Sequence, residues 1–471
     1  MNDVSRPSAA PIQHPPGFRA RRGRNWFFLG LTYASYYLCR YNLSPIAPEL
    51  KADLHLDNTR YGAVSSGRDA LYAVGQMVNG LLTDRLGGKS AMTIGAVGTI
   101  LLNLAFGLTT WSGLGPATML YTLVFIRSAD GYMQAFGAPG FIKINTAWFR
   151  RKERGTFAGV FGAMINLGAV GAGQLASLLA TGFVIPLYFA AITVPSLNWR
   201  YMFIIPPVIV AVVVVFMNLM VKNTPEEAGF RIVHDDEPAG EERFTLWSVL
   251  TKIASNPTVW LVAGAYFCTG FVRRGVENWW AIYLKDVWSF TRGSWPYTAF
   301  VWGLPVTATL GSLCSGIISD RWFAGRRAPV AALLYLSQTA FCIAALLIPH
   351  GAHGSVGLAV TVIIAISMMC NSTHSLLGTA AAMDLGGPKM AGCSSGIIDS
   401  FQYYGSILSG IGLGVFFDLI AGQHVGSSLT DGGAKLNPAV WVGSMIPFGL
   451  IGTSLMTYVW LKNRGTDARG T

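Results

Sequence analysis

Long apolar segments separated by short polar connections make up most of this 471-residue chain. One group lies near 26–48, 60–83, 90–110, 116–147, 156–187 and 200–221, and a second near 257–284, 296–319, 328–348, 355–383, 392–420 and 437–461. A membrane-spanning helix needs about 20 mostly apolar residues. The pattern therefore predicts an all-α membrane protein with 12 transmembrane helices. The 156–187 segment has room for one span and an outer loop.

Composition supports a membrane protein over a soluble one. Charged residues make up 12% of the chain and hydrophobic residues 52%, whereas soluble domains carry roughly 25% charge. The net charge is +11, but the Lys and Arg residues lie in the connections between apolar segments. Such loops face the cytoplasm, so we expect both termini there and no binding of nucleic acid.

The same pattern divides the chain into five regions. We expect a disordered cytoplasmic tail at 1–24, a six-helix bundle at 25–222, a cytoplasmic linker at 223–256, a second six-helix bundle at 257–463 and a cytoplasmic tail at 464–471. No small-residue cleavage site follows the first apolar segment, which favours an uncleaved span over a signal peptide. The six cysteines lie in apolar segments without a CxxC spacing, so no metal site is expected.

Two landmarks recur in the two halves of the chain. In the first half they are Tyr33 and Arg40, seven positions apart, and the run Gly80-x-x-x-Asp84-Arg85. In the second half they are Tyr266 and Arg273, also seven apart, and the run Gly316-x-x-x-Asp320-Arg321. The offsets are 233 (273 minus 40) and 236 (320 minus 84). Two landmarks at nearly one offset indicate duplicated six-span halves, a frequent plan in secondary transporters.

These motifs resemble a known family. The run from Gly80 to Lys89 is similar to the signature loop of the major facilitator superfamily, and Arg127-x-x-x-Gly131 to its second motif. Within that superfamily the chain most resembles the organophosphate:phosphate antiporters, which include glycerol-3-phosphate, hexose-phosphate and phosphoglycerate carriers. The specific part is the Tyr/Arg pattern of span one together with Arg273-x-Gly275-x-x-x-Trp279 in span seven.

The resemblance implies a major facilitator fold of two pseudo-symmetric six-helix bundles. It also implies exchange of an organophosphate, or a related phosphonate, for inorganic phosphate by alternating access in a bacterial inner membrane. We expect a monomer in the lipid bilayer, without a cofactor and without enzymatic activity. No GxxxxGK[ST] loop is present, so transport should not be driven by ATP.

The chain also departs from the family pattern. A lysine in span two and a histidine in span five of the glycerol-phosphate members correspond to Gln76 and Ile165 here. Charges that those members would not lead us to expect are Arg68, Asp69, Asp130, Arg274, Glu277 and Asp399. The resemblance therefore leaves the substrate open.

Arg40 and Arg273 are the main candidates for binding the substrate. A charge within a span costs several kcal/mol and is usually kept for function. The planar guanidinium matches two oxygens of a phosphate or carboxylate, and two opposed guanidinium groups suit a tetrahedral dianion. The alternative is that each arginine pairs with an acid such as Asp130 or Glu277 and only holds helices together.

The remaining candidates are polar side chains within or near the spans. Tyr33, Tyr37 and Tyr72 either donate hydrogen bonds to the substrate or pack, while Gln76 and Asn166 either line the cavity or bond neighbouring helices. The predicted gating and coupling residues are Asp84, Arg85, Arg127, Asp320 and Arg321. Asp130, Asp399 and His374 are further candidates for coupling or for balancing a substrate charge, although a histidine satisfied within the core is the simpler interpretation of His374.

Two rival functions stay open. Asp69, Asp130 and Asp399 favour a proton-coupled organic-anion symporter, and the span-one run is also similar to the related anion:cation symporters. The other rival is a transporter-like sensor of sugar phosphate, for which the 222–256 connection offers no specific motif.

Overall fold

The structure is a computed structural model that describes residues 15–149, 154–187, 190–230, 255–350, 354–381, 398–422 and 435–467. The helices of the first half are α1 (Phe18–Arg40), α2 (Ala47–Asp53), α3 (Asn58–Leu86), α4 (Gly88–Thr109), α5 (Pro116–Gln134), α6 (Gly137–Trp148), α7 (Arg154–Thr181) and α8 (Ile205–Met220). Those of the second half are α9 (Pro257–Trp288), α10 (Trp295–Trp322), α11 (Arg327–Leu346), α12 (Val356–Ser375), α13 (Ile398–Ile420), α14 (Pro438–Gly443) and α15 (Met445–Asp467).

Helix ends follow local sequence signals. Asp57 precedes α3, and its side chain accepts a hydrogen bond from the backbone N–H of Arg60 at 2.6 Å. The same helix ends at Gly87, whose φ of 82° suits glycine. Asn256 caps α9, which has Pro257 in its first turn. Long uninterrupted helices satisfy their own backbone groups, as the interior of a bilayer requires.

Seven of the described helices are long and apolar enough to cross a membrane. Helices α1, α3 and α9 have 23, 29 and 32 residues but do not belong to this set, and each carries charged residues along its length. Large apolar side chains cover the outside of the helices, including Leu101 (61% exposed), Phe125 (71%) and Leu219 (67%). Apolar surface of this extent matches a lipid environment.

Within each half, helices pack in neighbouring pairs. Helix α3 lies along α5, and α1 lies against α7 and α8; in the second half, α10 lies along α12 and α11 along α15. At the α1–α7 contact, a Cβ on Gly168 would lie 2.2 Å from the carbonyl oxygen of Ala34. Only glycine permits this approach of the two backbones.

The two halves meet at the end of the molecule where α1 stops, called here the Ser44 end. The Ser44 hydroxyl donates to the backbone carbonyl of Glu277, and the Tyr61 hydroxyl donates to that of Asn278 at 2.9 Å. Helix α3 also packs on α13, where a Cβ on Gly414 would lie 2.3 Å from the carbonyl oxygen of Asn58. The halves are therefore in tight contact at this end.

Several predicted boundaries need correction. Helix α1 begins at Phe18, so the predicted disorder is wrong for residues 18–24, while residues 1–14 and most of the predicted linker lie outside the described residues. The 116–147 segment forms two helices, α5 and α6. The outer loop after α7 contains an antiparallel hairpin of β1 (Phe183–Leu187) and β2 (Ala190–Val194), so that loop is not helical.

Candidate functional site

Arg40 ends α1 and is only 6% exposed. Its Nε donates to Oε1 of Gln134 at 2.9 Å, and its Nη1 to the Tyr37 hydroxyl at 3.3 Å. The guanidinium carbon lies 4.6 Å from the ring centre of Tyr37 and 4.4 Å from that of Tyr72. Among the residues that the structure describes, no carboxylate forms an ion pair with Arg40, and its Nη2 has no hydrogen-bond partner. The described groups in direct contact with the buried Arg40 guanidinium are thus neutral.

The backbone around Arg40 is fixed by two other arginines. The Arg40 carbonyl accepts hydrogen bonds from Nη1 of Arg68 at 2.7 Å and from Nη2 of Arg127 at 3.0 Å. These bonds satisfy a carbonyl that the end of α1 leaves without a helical partner. Cations are also favourable at a helix C-terminus. Arg127 is 3% exposed, so it is buried beside the end of α1 and stabilises that end through its hydrogen bond to the Arg40 carbonyl.

Asp130 is not the ion-pair partner of Arg40. Its Oδ2 lies 3.3 Å from Nη1 of Arg127 and accepts from Nε2 of Gln134 at 2.9 Å, while Oδ1 accepts from Asn103 at 3.2 Å. Gln134 thereby links the Asp130 carboxylate to the Arg40 guanidinium. Both oxygens of the Asp130 carboxylate therefore have partners in the first half.

Arg273 differs from Arg40 because it forms an ion pair with an acid. Its Nε donates to Oε1 of Glu277 at 3.1 Å, and its Nη1 lies 3.4 Å from Nε2 of His374. The Arg273 side chain is 17% exposed and that of Glu277 13%. The alternative in which an arginine pairs with an acid therefore applies to Arg273, whereas Arg40 has no acid partner among the described residues.

A chain of charged side chains crosses between the halves. Oδ1 of Asp69 accepts from Nε and Nη2 of Arg68 at 3.1 and 2.6 Å, and Oδ2 of Asp69 lies 3.3 Å from Nε of Arg274 in the second half. Nη1 of Arg274 then donates to Oε2 of Glu277 at 2.7 Å, and Glu277 holds Arg273. Four of the unexpected charges thus form one connected network with Arg273.

His374 and Asp399 lie beside Arg273. The Tyr266 hydroxyl is hydrogen-bonded to Nδ1 of His374, and the two rings stack with centroids 5.4 Å apart. Asp399 lies close to Gln76 and Tyr266 and within electrostatic range of Arg273. The pairing of Asp399 with Arg274 is not seen, since the acids bonded to Arg274 in the described chain are Asp69 and Glu277.

The predicted tyrosines and Asn166 have different surroundings. Tyr33 packs on Phe141 of the same half with ring centroids 6.0 Å apart, and its role in substrate binding stays a prediction. Tyr72 faces Tyr403 of the second half at 4.9 Å. Asn166 donates to the Thr309 hydroxyl across the halves and also borders the cavity, so both of its interpretations apply.

A cavity lies between the halves beside Arg273. Groups from both halves line it, including Tyr41, Asn166, Arg273, Glu277, Trp280 and Asn371. Arg40 is not in its wall, but Tyr403 and Asp399 are within electrostatic range of both arginines. The two arginines thus share neighbours in one central region, and of the two it is Arg273 that borders the cavity.

The two equivalent aspartates each form an ion pair, but with partners at different places in their halves. Asp84 pairs with Lys143 at 3.0 Å and Asp320 with Arg327 at 2.8 Å. Each pair lies within one half, and the aspartates are 75% and 62% exposed. Arg85 and Arg321 are also exposed. A gating role for these four residues stays a prediction.

The sequence analysis missed two residues at the site and one at the Ser44 end. Gln134 and Tyr403 each lie four positions after an acid, Asp130 and Asp399, and so share a helix face with it; this spacing could have identified them. Asp418 offered no comparable signal, because its partners lie at the start of α3 in the other half.

Comparisons with known proteins agree with this architecture. Residues 29–410 match the Major Facilitator Superfamily. The chain is 27% identical to the glycerol-3-phosphate transporter of Bacillus subtilis (strain 168), covering 82% of this chain and 84% of that protein. It is 26% identical to the phosphoglycerate transporter protein of Salmonella typhimurium (93% and 88% covered) and 24% identical to the membrane sensor protein UhpC of Escherichia coli (strain K12; 86% and 89%). The predicted resemblance is confirmed, as is a transporter family rather than an enzyme family.

A solved structure supports the fold alone. The bacterial homologue of the human lysosomal transporter Spinster, in its inward-facing and unoccupied conformation, superimposes with a TM-score of 0.74 over 96% of this chain and 98% of that chain at 16% identity. The predicted fold is confirmed, while the number of 12 spans and the bounds of the two bundles, the linker and the C-terminal tail stay predictions.

Proposed function

The chain belongs to the major facilitator superfamily, and we propose that it exchanges an organophosphate, or a related phosphonate or organic anion, for inorganic phosphate by alternating access. The observation that carries this proposal is Arg40, a buried guanidinium with no described carboxylate partner and with a free Nη2. Among its relatives are proteins named as glycerol-3-phosphate and phosphoglycerate transporters. A phosphate oxygen is the kind of acceptor that such a donor lacks.

The electrostatics of Arg40 favour an anionic substrate. Burying an unpaired charge is costly, and the Tyr37 and Tyr72 rings offset only part of that cost through cation–π contacts. A phosphate or phosphonate beside Nη2 would supply the missing negative charge, and the nearby tyrosine hydroxyl groups could donate to its other oxygens. Closure of the site over a bound anion would then be easier than closure over an empty site.

We place the protein in the inner membrane of a bacterium, with both termini in the cytoplasm and the monomer as the functional unit. The positive-inside rule supports this orientation. It makes the Ser44 end external, so the structure represents a state closed to the outside. The two bundles, 25–222 and 257–463, would rock about the central site, and opening would separate the contacts at the Ser44 end.

The test is uptake of radiolabelled phosphate into proteoliposomes, either loaded with unlabelled phosphate or left empty. Exchange predicts rapid uptake into loaded vesicles, with organophosphates, phosphonates and carboxylates ranked as competitors. Arg40→Lys keeps the charge but loses the planar pair of donors, so we expect exchange to fall at least about tenfold. Arg200→Lys, at an ion pair with Asp53 far from the site, is the matched control. Near-normal exchange by Arg40→Lys would contradict the proposal.

A proton-coupled anion symporter is the second candidate. Asp399 favours it, because this carboxylate lies within electrostatic range of both Arg40 and Arg273. A symporter would take up anion into empty vesicles under an imposed proton gradient and would lose uptake with a protonophore. Exchange that continues unchanged in the presence of the protonophore would exclude the symporter.

A further inference from the structure

Glu277 is positioned differently from the other acids of the central region. Its Oε1 holds Arg273 and its Oε2 holds Arg274, so one carboxylate serves two neighbouring guanidinium groups. Glu277 lines the cavity together with Arg273, and its side chain is 13% exposed. Asp69, by comparison, is 1% exposed, pairs with Arg274 and does not line the cavity. Glu277 is therefore the acid that a ligand in the cavity meets beside Arg273.

Glu277 also contacts the first half. The Tyr41 hydroxyl donates to Oε2 of Glu277 at 3.4 Å, and the Ser44 hydroxyl donates to the Glu277 backbone carbonyl. Through Arg274 the same carboxylate is linked to Asp69 of the first half. Any movement of the Glu277 carboxylate therefore changes contacts between the halves near the closed Ser44 end.

The charges of the two candidate arginines differ as a result. Arg273 has a carboxylate partner, whereas Arg40 has none among the described residues. The network of Arg68, Asp69, Arg274, Glu277 and Arg273 holds three guanidinium groups and two carboxylates, so Glu277 lowers the positive charge beside Arg273 without cancelling it. The electrostatic obstacle to closing the empty site is accordingly smaller than it would be without Glu277.

We infer that Glu277 is a built-in counter-anion, a positioning residue that occupies Arg273 in the empty carrier and is displaced when a substrate phosphate or phosphonate binds. This inference rests on the proposed exchange function and deepens it. Glu277 competes with the substrate for Arg273, which weakens substrate binding. It also lets the empty carrier close and return, so that net flux accompanies exchange.

The test compares exchange and net efflux of radiolabelled phosphate from proteoliposomes for the wild type and Glu277→Gln. Without the competing carboxylate, the KM for phosphate exchange should fall roughly twofold to fivefold, within the range of a partly exposed ion pair. Net efflux into phosphate-free buffer should fall relative to exchange by a similar factor. Glu277→Asp keeps the charge and should restore both values toward the wild type.

Asp53→Asn is the matched control. Asp53 forms an ion pair with Arg200 at 2.9 Å inside the first half, and the described contacts place neither residue on Arg273. This variant should leave the KM unchanged. A Glu277→Gln carrier with a higher or equal KM, or with an unchanged ratio of net efflux to exchange, would overturn the inference. Absence of exchange in the wild type would instead contradict the proposed function.

Discussion

Asp418 joins the two halves at the Ser44 end, and its replacement by Asn should favour opening there. Its carboxylate, 1% exposed, accepts four hydrogen bonds from the start of α3. Oδ1 accepts from the backbone N–H and Nδ2 of Asn58 at 3.3 and 2.9 Å, and Oδ2 from the backbone N–H and hydroxyl of Thr59 at 2.8 and 2.7 Å. The second half thus supplies a negative cap for a helix N-terminus of the first half.

The magnitude follows from these bonds. Asp418→Asn keeps one acceptor oxygen but turns the other into a donor that faces donors. A hydrogen bond to a charged group contributes about 1.5–3 kcal/mol, and the charge at the helix N-terminus about 0.3–1 kcal/mol. With partial relaxation, we expect the closed state to lose about 2–4 kcal/mol relative to the open one. That corresponds to a shift of roughly 30- to 1000-fold in the closed-to-open ratio.

The assay is a distance measurement by electron–electron double resonance between spin labels on opposite halves at the Ser44 end. Ser112→Cys and Thr291→Cys provide exposed positions, and Cys314→Ser removes the exposed native cysteine of the described chain. Asp418→Asn should add or enlarge a long-distance population. Asp53→Asn, which loses an ion pair with Arg200 inside the first half, should not. Identical distance distributions in the wild type and Asp418→Asn would refute the capping argument.

Two further predictions concern packing and buried charge. Gly414→Ala should open the Ser44 end in the same distance measurement, because its Cβ would lie 2.3 Å from the carbonyl oxygen of Asn58; an unchanged closed population would contradict this. Asp69→Asn should lower the free energy of unfolding in detergent by about 3–5 kcal/mol, because Arg68 loses its buried acid and Arg274 keeps only Glu277. Asp84→Asn removes only an exposed ion pair and should lower the free energy of unfolding by about 0–1 kcal/mol. Equal losses of stability in Asp69→Asn and Asp84→Asn would contradict the argument from burial.

The sequence by itself determined the fold class and the main chemistry. Apolar segments long enough to span, the landmarks repeated at Arg40 and Arg273, and the motif from Gly80 to Lys89 were sufficient for the major facilitator fold, since these signals are local or periodic. The helix caps at Asp57 and Gly87 are local for the same reason. The substrate-binding role of the two arginines remains a prediction from the sequence.

Only the tertiary structure decided which charges neutralise one another. Arg40 and Arg273 occupy equivalent places in the repeat, yet Glu277 forms an ion pair with Arg273, while Asp130 in the half of Arg40 pairs with Arg127 instead. Asp418 caps a helix that begins 360 residues earlier in the chain. Ion pairs depend on distances of a few ångströms between side chains, and such distances between remote segments are set by helix packing, which the order of residues along the chain does not reveal.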